Sequence, residues 1–110
     1  MTEAWKIHFV NKTAEEEIFD LTPDLKAKFL HISDLLISFG PQHIGLPHVR
    51  PLEKKLWELR LKGKDNIARS IYVLASQRRI IILHTFVKKT QKTPQKALEI
   101  ARKRMKENSL

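Results

Sequence analysis

Three apolar runs with alternating side chains, separated by short polar breaks, dominate the chain between Lys55 and Lys92. The runs are rich in Leu, Ile, Val and aromatic residues, which favour strands, and the breaks contain residues that suit tight turns. Successive side chains of a strand point to opposite faces of the sheet, so alternation assigns each residue to a face. The pattern predicts a three-stranded antiparallel meander, around which the other elements must be arranged.

One face of this meander combines a carboxylate, an imidazole, an aromatic ring and several cations. Alternation places these residues on it: Glu58, Arg60, Arg69, His84, Phe86 and Lys88. Side chains of these types are unusual on a face that packs into a core, and they suit a site for a phosphate or a nucleic-acid base. The opposite face, which includes Trp57 and Tyr72, is expected to pack on helices.

The charge of the chain is unevenly distributed. Residues 1–49 contain four Lys and seven Asp or Glu, whereas residues 50–110 contain seventeen Lys or Arg and five acids, and the net charge is +9. Such an excess predicts a polyanion partner, nucleic acid first, with anionic lipid or a merely solvated basic surface as alternatives. Because the chain has no Cys, disulfides, thiolate metal sites and thiol nucleophiles are excluded.

The 110 residues suffice for one modest core, so we expect a single domain over residues 1–110. No apolar run approaches the roughly 20 residues that a transmembrane helix needs. The N-terminus lacks the basic start and apolar stretch of a signal peptide. We therefore expect a cytoplasmic protein with no membrane partner.

Two helices are predicted between a first strand, Trp5–Val10, and the meander. The run Thr13–Glu16 has the form of a capping box and predicts a short first helix. Thr22 and Pro23 begin a second helix that runs to about Phe39. Its apolar stripe, at helical spacing, consists of Leu25, Phe29, Ile32, Leu36 and Phe39.

Residues 41–51 are rich in proline, and the segment is interpreted as a rigid connector. Its histidines, His43 and His48, have no third ligand type nearby and are read as surface residues rather than metal ligands. Thr93 and Pro94 begin a last helix with a narrow apolar stripe and a basic face. The fold class is therefore α+β: a mainly antiparallel sheet of about four strands, two N-terminal helices and a C-terminal helix.

This order of elements, together with three segments, resembles the RelE-like toxin fold. The segments Leu56–Arg60 (LWELR), Arg69–Tyr72 (RSIY) and above all Leu83–Pro94 (LHTFVKKTQKTP) are similar to the HigB-type, phage-derived branch of that superfamily. The resemblance implies the toxin of a type II toxin–antitoxin system, an mRNA endoribonuclease that acts on translating ribosomes. It also implies a cognate antitoxin, commonly with a helix-turn-helix domain, and no metal or organic cofactor.

A metal-free ribonuclease needs cations that stabilise the phosphorane-like charge, a base for the attacking 2′-OH and an acid for the leaving oxygen. Arg pairs bidentately with phosphate oxygens, and His has an unperturbed pKa near neutrality. Several relatives place a tyrosine near the end of the last strand, where this chain has a phenylalanine that stacks but transfers no proton. The predicted catalytic residues are Arg60, Arg69, His84, Lys88 and Glu58, and the predicted RNA-binding residues are Phe86, Lys89 and Lys92.

Other interpretations of these residues remain open. Arg60 and Arg69 are alternatively partners of Glu58 in a surface salt-bridge ladder, His84 a half-buried strand residue, and Phe86 a ring covered by the last helix. The whole chain is alternatively a non-catalytic nucleic-acid-binding module or a structural protein of phage origin. The enzyme hypothesis predicts that Arg69→Ala abolishes growth arrest while leaving thermal stability nearly intact.

Overall fold

A computed structural model describes residues 4–88 and 93–110 of the chain. Its strands are β1 (Lys6–Phe9), β2 (Val49–Glu53), β3 (Leu56–Lys62), β4 (Ile67–Ala75) and β5 (Arg79–Lys88). Its α-helices are α1 (Lys12–Phe19), α2 (Pro23–Phe39) and α3 (Gln95–Glu107), and a single 3-10 turn covers Pro41–His43. In the described part of the chain, no helix is long and apolar enough to cross a membrane.

The strands form one five-stranded mixed sheet in the order β1-β5-β4-β3-β2. Strands β2 to β5 make an antiparallel meander, and β1 runs parallel to β5 at the other edge. Three residues join the paired Ala75 of β4 and Arg79 of β5, and two of them, Gln77 (61°) and Arg78 (56°), have positive φ angles that make the turn tight. The predicted α+β class is confirmed, with one strand more than expected.

Helices α1 and α2 cover one face of the sheet, which we call the α2 face. The predicted stripe of α2 packs there, with Leu25, Ile32 and Leu36 fully buried, whereas Phe39 is 61% exposed and lies outside the core. Leu59 of β3 and Tyr72 of β4 belong to the same cluster, and Trp57 packs against its margin. Burial raises the pKa of the Tyr72 phenol, as expected for a ring used in packing.

Helix α3 covers part of the opposite face, which we call the α3 face. Ala97 and Ala101 are buried against Ile71, Val73 and other strand residues, since their small side chains let the helix approach closely. Both faces of the sheet are therefore packed. Helix α3 packs on the same face as the predicted polar residues, which lie on the part of that face that the helix leaves uncovered.

The strand missed by the sequence interpretation is β2, whose first residues lie in the predicted connector. In the part of the chain that the structure describes, β2 is an edge strand that pairs with β3 alone, and Pro51 is opposite Trp57 in that pairing. Proline is tolerated on an edge strand because its missing N–H interrupts no ladder. The prolines that argued against a strand here therefore mark an edge instead.

Both predicted caps differ in detail from the observed helix starts. The N-cap of helix α1 is Asn11, two residues before the predicted Thr13, and its side chain accepts a hydrogen bond of 2.8 Å from the Ala14 N–H. Helix α3 has Pro94 at its N-cap, and the Thr93 hydroxyl makes no cap hydrogen bond. That hydroxyl donates instead to a buried carboxylate of β3.

Candidate phosphate-binding site

Glu58, at the middle of β3, is a fully buried carboxylate surrounded by donors. Its Oε2 lies 3.4 Å from Arg60 Nη1 and 3.5 Å from Arg69 Nε, and its Oε1 accepts a 2.7 Å hydrogen bond from the Thr93 hydroxyl. A buried charge is costly unless it is paired and hydrogen-bonded. Both oxygens of Glu58 are therefore occupied in holding two arginines and the start of α3.

The strand register explains why these side chains meet. Arg60 of β3 is directly opposite Arg69 of β4, and Arg69 is in turn opposite Phe86 of β5. Glu58 precedes Arg60 by two residues and so shares its face. His84 and Lys88 lie two residues either side of Phe86 on the same face. The alternation argument placed all six residues correctly on one face, the α3 face.

The arginine pair carries more positive charge than Glu58 balances. Arg69 is only 3% exposed, and burial, together with the charge of Arg60, lowers the pKa of its guanidinium. Its Nη1 donates to the Ala68 carbonyl at 3.0 Å, and among the described residues its buried Nε has no hydrogen-bond partner. Burial and the neighbouring Arg69 charge also lower the pKa of Lys88. The cluster thus suits an added anion.

A pocket of about 300 Å³ opens beside this pair. Strands β3 and β4, helix α2 and the segment before β2 supply its lining residues: Lys28, Pro47, His48, Arg60, Lys62, Ile67 and Arg69. Four of these carry a full positive charge, His48 adds an imidazole, and no lining residue is acidic. A concave surface lined by one sign of charge attracts the opposite charge, here a phosphate or a phosphodiester backbone.

His84 belongs to a second polar cluster, on the side of the site next to β1. Its Nδ1 lies 3.0 Å from Glu17 Oε1 of α1, and the same oxygen accepts from the Thr85 N–H at 3.1 Å. Arg104 of α3 donates to both oxygens of Glu17, at 2.9 and 3.0 Å, and to the Leu83 carbonyl at 2.9 Å. An ionised carboxylate only accepts hydrogen bonds, so the His84 Nδ1 is the donor.

The side chains of this second cluster hydrogen-bond backbone groups at one edge of β5. Strand β1 ends opposite Ile82, and among the described residues no strand pairs with the edge of β5 beyond that point. The Glu17 and Arg104 side chains pair with the backbone groups of that edge and tie α1, β5 and α3 together. Burial opposes ionisation of Glu17, but the hydrogen bonds from His84 and Arg104 prevail and lower its pKa to about 2.

The predicted RNA-binding residues are only partly described. Phe86 is half-buried, packs against the core cluster beneath α3 and stacks on the His84 ring with centroids 5.4 Å apart. Lys89 and Lys92 lie outside the described residues. Within residues 4–88 and 93–110, no group of three or more His, Cys, Asp or Glu side chains is arranged to hold a metal ion.

Several residues of the site were not singled out from the sequence. Lys28 and His48 line the pocket from segments interpreted as a plain helix and a connector, and Thr93 was read only as a cap. Glu17 of the first helix and Arg104 of the last helix are ion-paired across the fold. Such contacts join distant parts of the chain, and no local periodicity signals them.

Comparison with known proteins agrees with this architecture. A family model described as phage-derived protein Gp49-like matches residues 16–106. The solved archaeal RelE–RelB complex from Pyrococcus horikoshii OT3 contains a chain that is 24% identical, with a TM-score of 0.54 over 77% of this chain and 93% of that one. That likeness establishes a shared fold, and no curated protein matches. With most of its length covered by the family model, the chain belongs to the phage-derived Gp49-like family.

Proposed function

We propose that this protein is the toxin of a type II toxin–antitoxin system, of the HigB type, and that it cleaves mRNA on translating ribosomes. The observation that carries the proposal is the Arg60–Arg69 pair, held by buried Glu58 beside a basic pocket. Membership of a phage-derived family and the RelE-like fold support it. The proposed reaction needs no metal or organic cofactor.

The arginines stabilise charge in the proposed reaction. The 2′-OH of one nucleotide attacks the adjacent phosphorus, and negative charge accumulates on the non-bridging oxygens as the bond to the 5′ oxygen breaks. Arg60 and Arg69, opposite each other on neighbouring strands, present two guanidinium groups to those oxygens. Because Glu58 fixes them before the substrate arrives, little reorganisation is required during the reaction. Glu58 therefore acts in the proposal as a positioning residue.

Proton transfer to the leaving oxygen is assigned to β5. Lys88 has a lowered pKa, so its ammonium releases a proton more readily than an ordinary lysine does. His84 is the second proton-transfer residue of that strand. Since its Nδ1–H donates to Glu17, the neutral ring keeps Nε2 as an acceptor. The fixed tautomer is a property that a catalytic imidazole requires.

Binding of the RNA strand is assigned to the end of β5 and the residues that follow it. Phe86, on the same face as the arginines, offers a ring on which a splayed base stacks. Lys89 and Lys92 would contact phosphates on either side of the cleaved bond, as the sequence predicted. The basic C-terminal half of the chain suits binding to both mRNA and the ribosome. We place the proposed reaction on the ribosome, in the cytoplasm.

The proposed partner is a cognate antitoxin with a helix-turn-helix domain. The likeness to the toxin fold of a RelE–RelB complex supports an antitoxin as the partner class. Co-expression with the product of an adjacent open reading frame that encodes a small helix-turn-helix protein tests this directly. Restored growth and a complex that co-purifies are the expected result, and continued growth arrest despite soluble expression of both chains would contradict it.

Inducible expression with genome-wide mapping of mRNA 5′ ends tests the enzymatic proposal. Wild-type protein should create new ends inside translated regions and arrest growth, and Arg60→Ala should abolish both. Arg102→Ala removes an exposed arginine of α3 that pairs with Glu53 and serves as the matched control. If Arg60→Ala still cuts, the site assignment fails. If soluble wild-type protein neither cuts nor slows growth, the non-catalytic nucleic-acid-binding alternative is favoured.

A further inference from the structure

His48 is fixed at the rim of the pocket by two backbone hydrogen bonds. Its N–H donates to the Gly45 carbonyl at 3.0 Å, and its carbonyl accepts from the Arg60 N–H at 2.8 Å. The second bond places His48 beside β3, next to one of the two arginines. The residue itself is half-buried and lines the pocket.

The surroundings of the His48 ring favour its neutral form. The groups that face it or share its pocket are cationic or neutral: Lys28 and His31 of α2, Arg60 and Lys62 of β3, and Arg69 of β4. The His31 ring lies edge-on with its centroid 6.2 Å away. Burial, and then the charges of Lys28 and His31, lower the pKa of His48. A neutral imidazole at pH 7 is able to accept a proton.

The position of His48 complements that of the proposed acid. In strand order, Lys88 on β5 lies on one side of the Arg60–Arg69 pair, and His48 lies on the other, beyond β3. In-line cleavage needs the attacking and leaving oxygens on opposite sides of the phosphorus atom. The carboxylate of Glu58 is fully buried with both oxygens occupied, and one ring nitrogen of His84 is bound to Glu17. His48 carries neither constraint in the described contacts.

We propose that His48 is a catalytic residue, the general base that activates the 2′-OH for cleavage; this inference rests on the proposed ribonuclease function. The imidazole takes the 2′-OH proton while the 2′ oxygen bonds to phosphorus. The bond from phosphorus to the 5′ oxygen breaks, and the Lys88 ammonium protonates that oxygen. The products are a 2′,3′-cyclic phosphate and a 5′-hydroxyl, so atoms and charge balance.

Single-turnover cleavage of ribosome-bound mRNA, measured from pH 5 to 8, tests the role of His48. His48→Gln should slow cleavage by about 10²–10⁴-fold and remove the loss of rate at acidic pH that protonation of His48 causes. Affinity for the programmed ribosome should stay unchanged, because glutamine preserves the pocket's shape and its lysines and arginines. His43→Gln, which alters an exposed histidine of the same segment, is the matched control and should cleave like wild type.

The outcomes separate this inference from the function on which it rests. If wild-type protein makes no cut, both proposals fall. If wild type cuts and His48→Gln cuts at a similar rate with the same acidic limb, His48 is not the base, and the ribonuclease proposal stands. A folded His48→Ala variant supplies a second measurement, because added imidazole should restore part of its rate if a missing base is the defect.

Discussion

Ionisation of Glu17 makes the stability of the fold depend on pH, and the substitution Glu17→Gln measures that contribution. Its carboxylate accepts four hydrogen bonds, three of them at Oε1, and its pKa is lowered from 4.5 to about 2. A carboxyl group with a lowered folded-state pKa stabilises the protein above its unfolded pKa and loses that contribution as pH falls through the folded pKa. The fall from 4.5 to about 2 corresponds to about 3 kcal/mol, lost between those two pH values. The side chain is only 20% exposed, so solvent screens little of this.

Urea unfolding of wild type and Glu17→Gln between pH 2 and pH 7 measures the effect. Because glutamine resembles a protonated glutamate, the variant should be less stable by about 3 kcal/mol at pH 7, and the two proteins should converge near pH 2. Glu16→Gln, on the exposed side of the same helix, should leave a constant small difference throughout. A Glu17→Gln curve that runs parallel to wild type across the whole window would refute the reasoning.

Substitutions at three further positions probe the ion pairs and hydrogen bonds of the fold. Arg69→Ala should lower the free energy of unfolding in urea by about 3–5 kcal/mol, because it removes a buried partner of Glu58; Arg69→Lys, which keeps the charge, should lose less. Thr93→Val should cost about 2 kcal/mol in the same assay, since it leaves one oxygen of that carboxylate without its donor. Arg102→Ala should leave the urea midpoint nearly unchanged, because its ion pair with Glu53 is exposed, and a large shift would contradict this.

The burial of Arg69 changes an expectation drawn from the sequence. Alternation gave its face correctly, because a period of two depends only on the strand itself. Alternation did not predict how deeply Arg69 is buried, because α3 and Thr93, from a distant part of the chain, cover that face. The salt-bridge ladder that was considered as a surface feature is therefore a buried cluster. Loss of activity in Arg69→Ala must consequently be compared with its loss of stability, and Arg60→Ala is the cleaner probe.

The sequence was least informative where the chain makes contacts over long separations. Glu17 and Arg104 are 87 residues apart, and each has a satisfactory local interpretation, at a helix start and on a basic helix face. His48 was interpreted as a surface residue of a connector because of the prolines around it. Prolines indicate a connector whether or not a pocket lies beside it. His48 lies beside the pocket because it immediately precedes β2, an edge strand whose proline and charged residues made it hard to recognise from the sequence.

The Glu17 cluster and the Glu58 cluster lie on opposite sides of β5, and each is built around a carboxylate that pairs with arginine. At Glu17 a single carboxylate satisfies the exposed backbone edge of the strand and joins α1 to α3, so its charge is used within the fold. At Glu58 one carboxylate faces two arginines in a partly desolvated place, so the arginine pair carries more positive charge than that carboxylate balances. Burial first, and then the neighbouring positive charges, lower the pKa values of Arg69 and Lys88. A bound phosphate would balance the excess charge, and for this reason we propose the Glu58 cluster, and not the Glu17 cluster, as the RNA site.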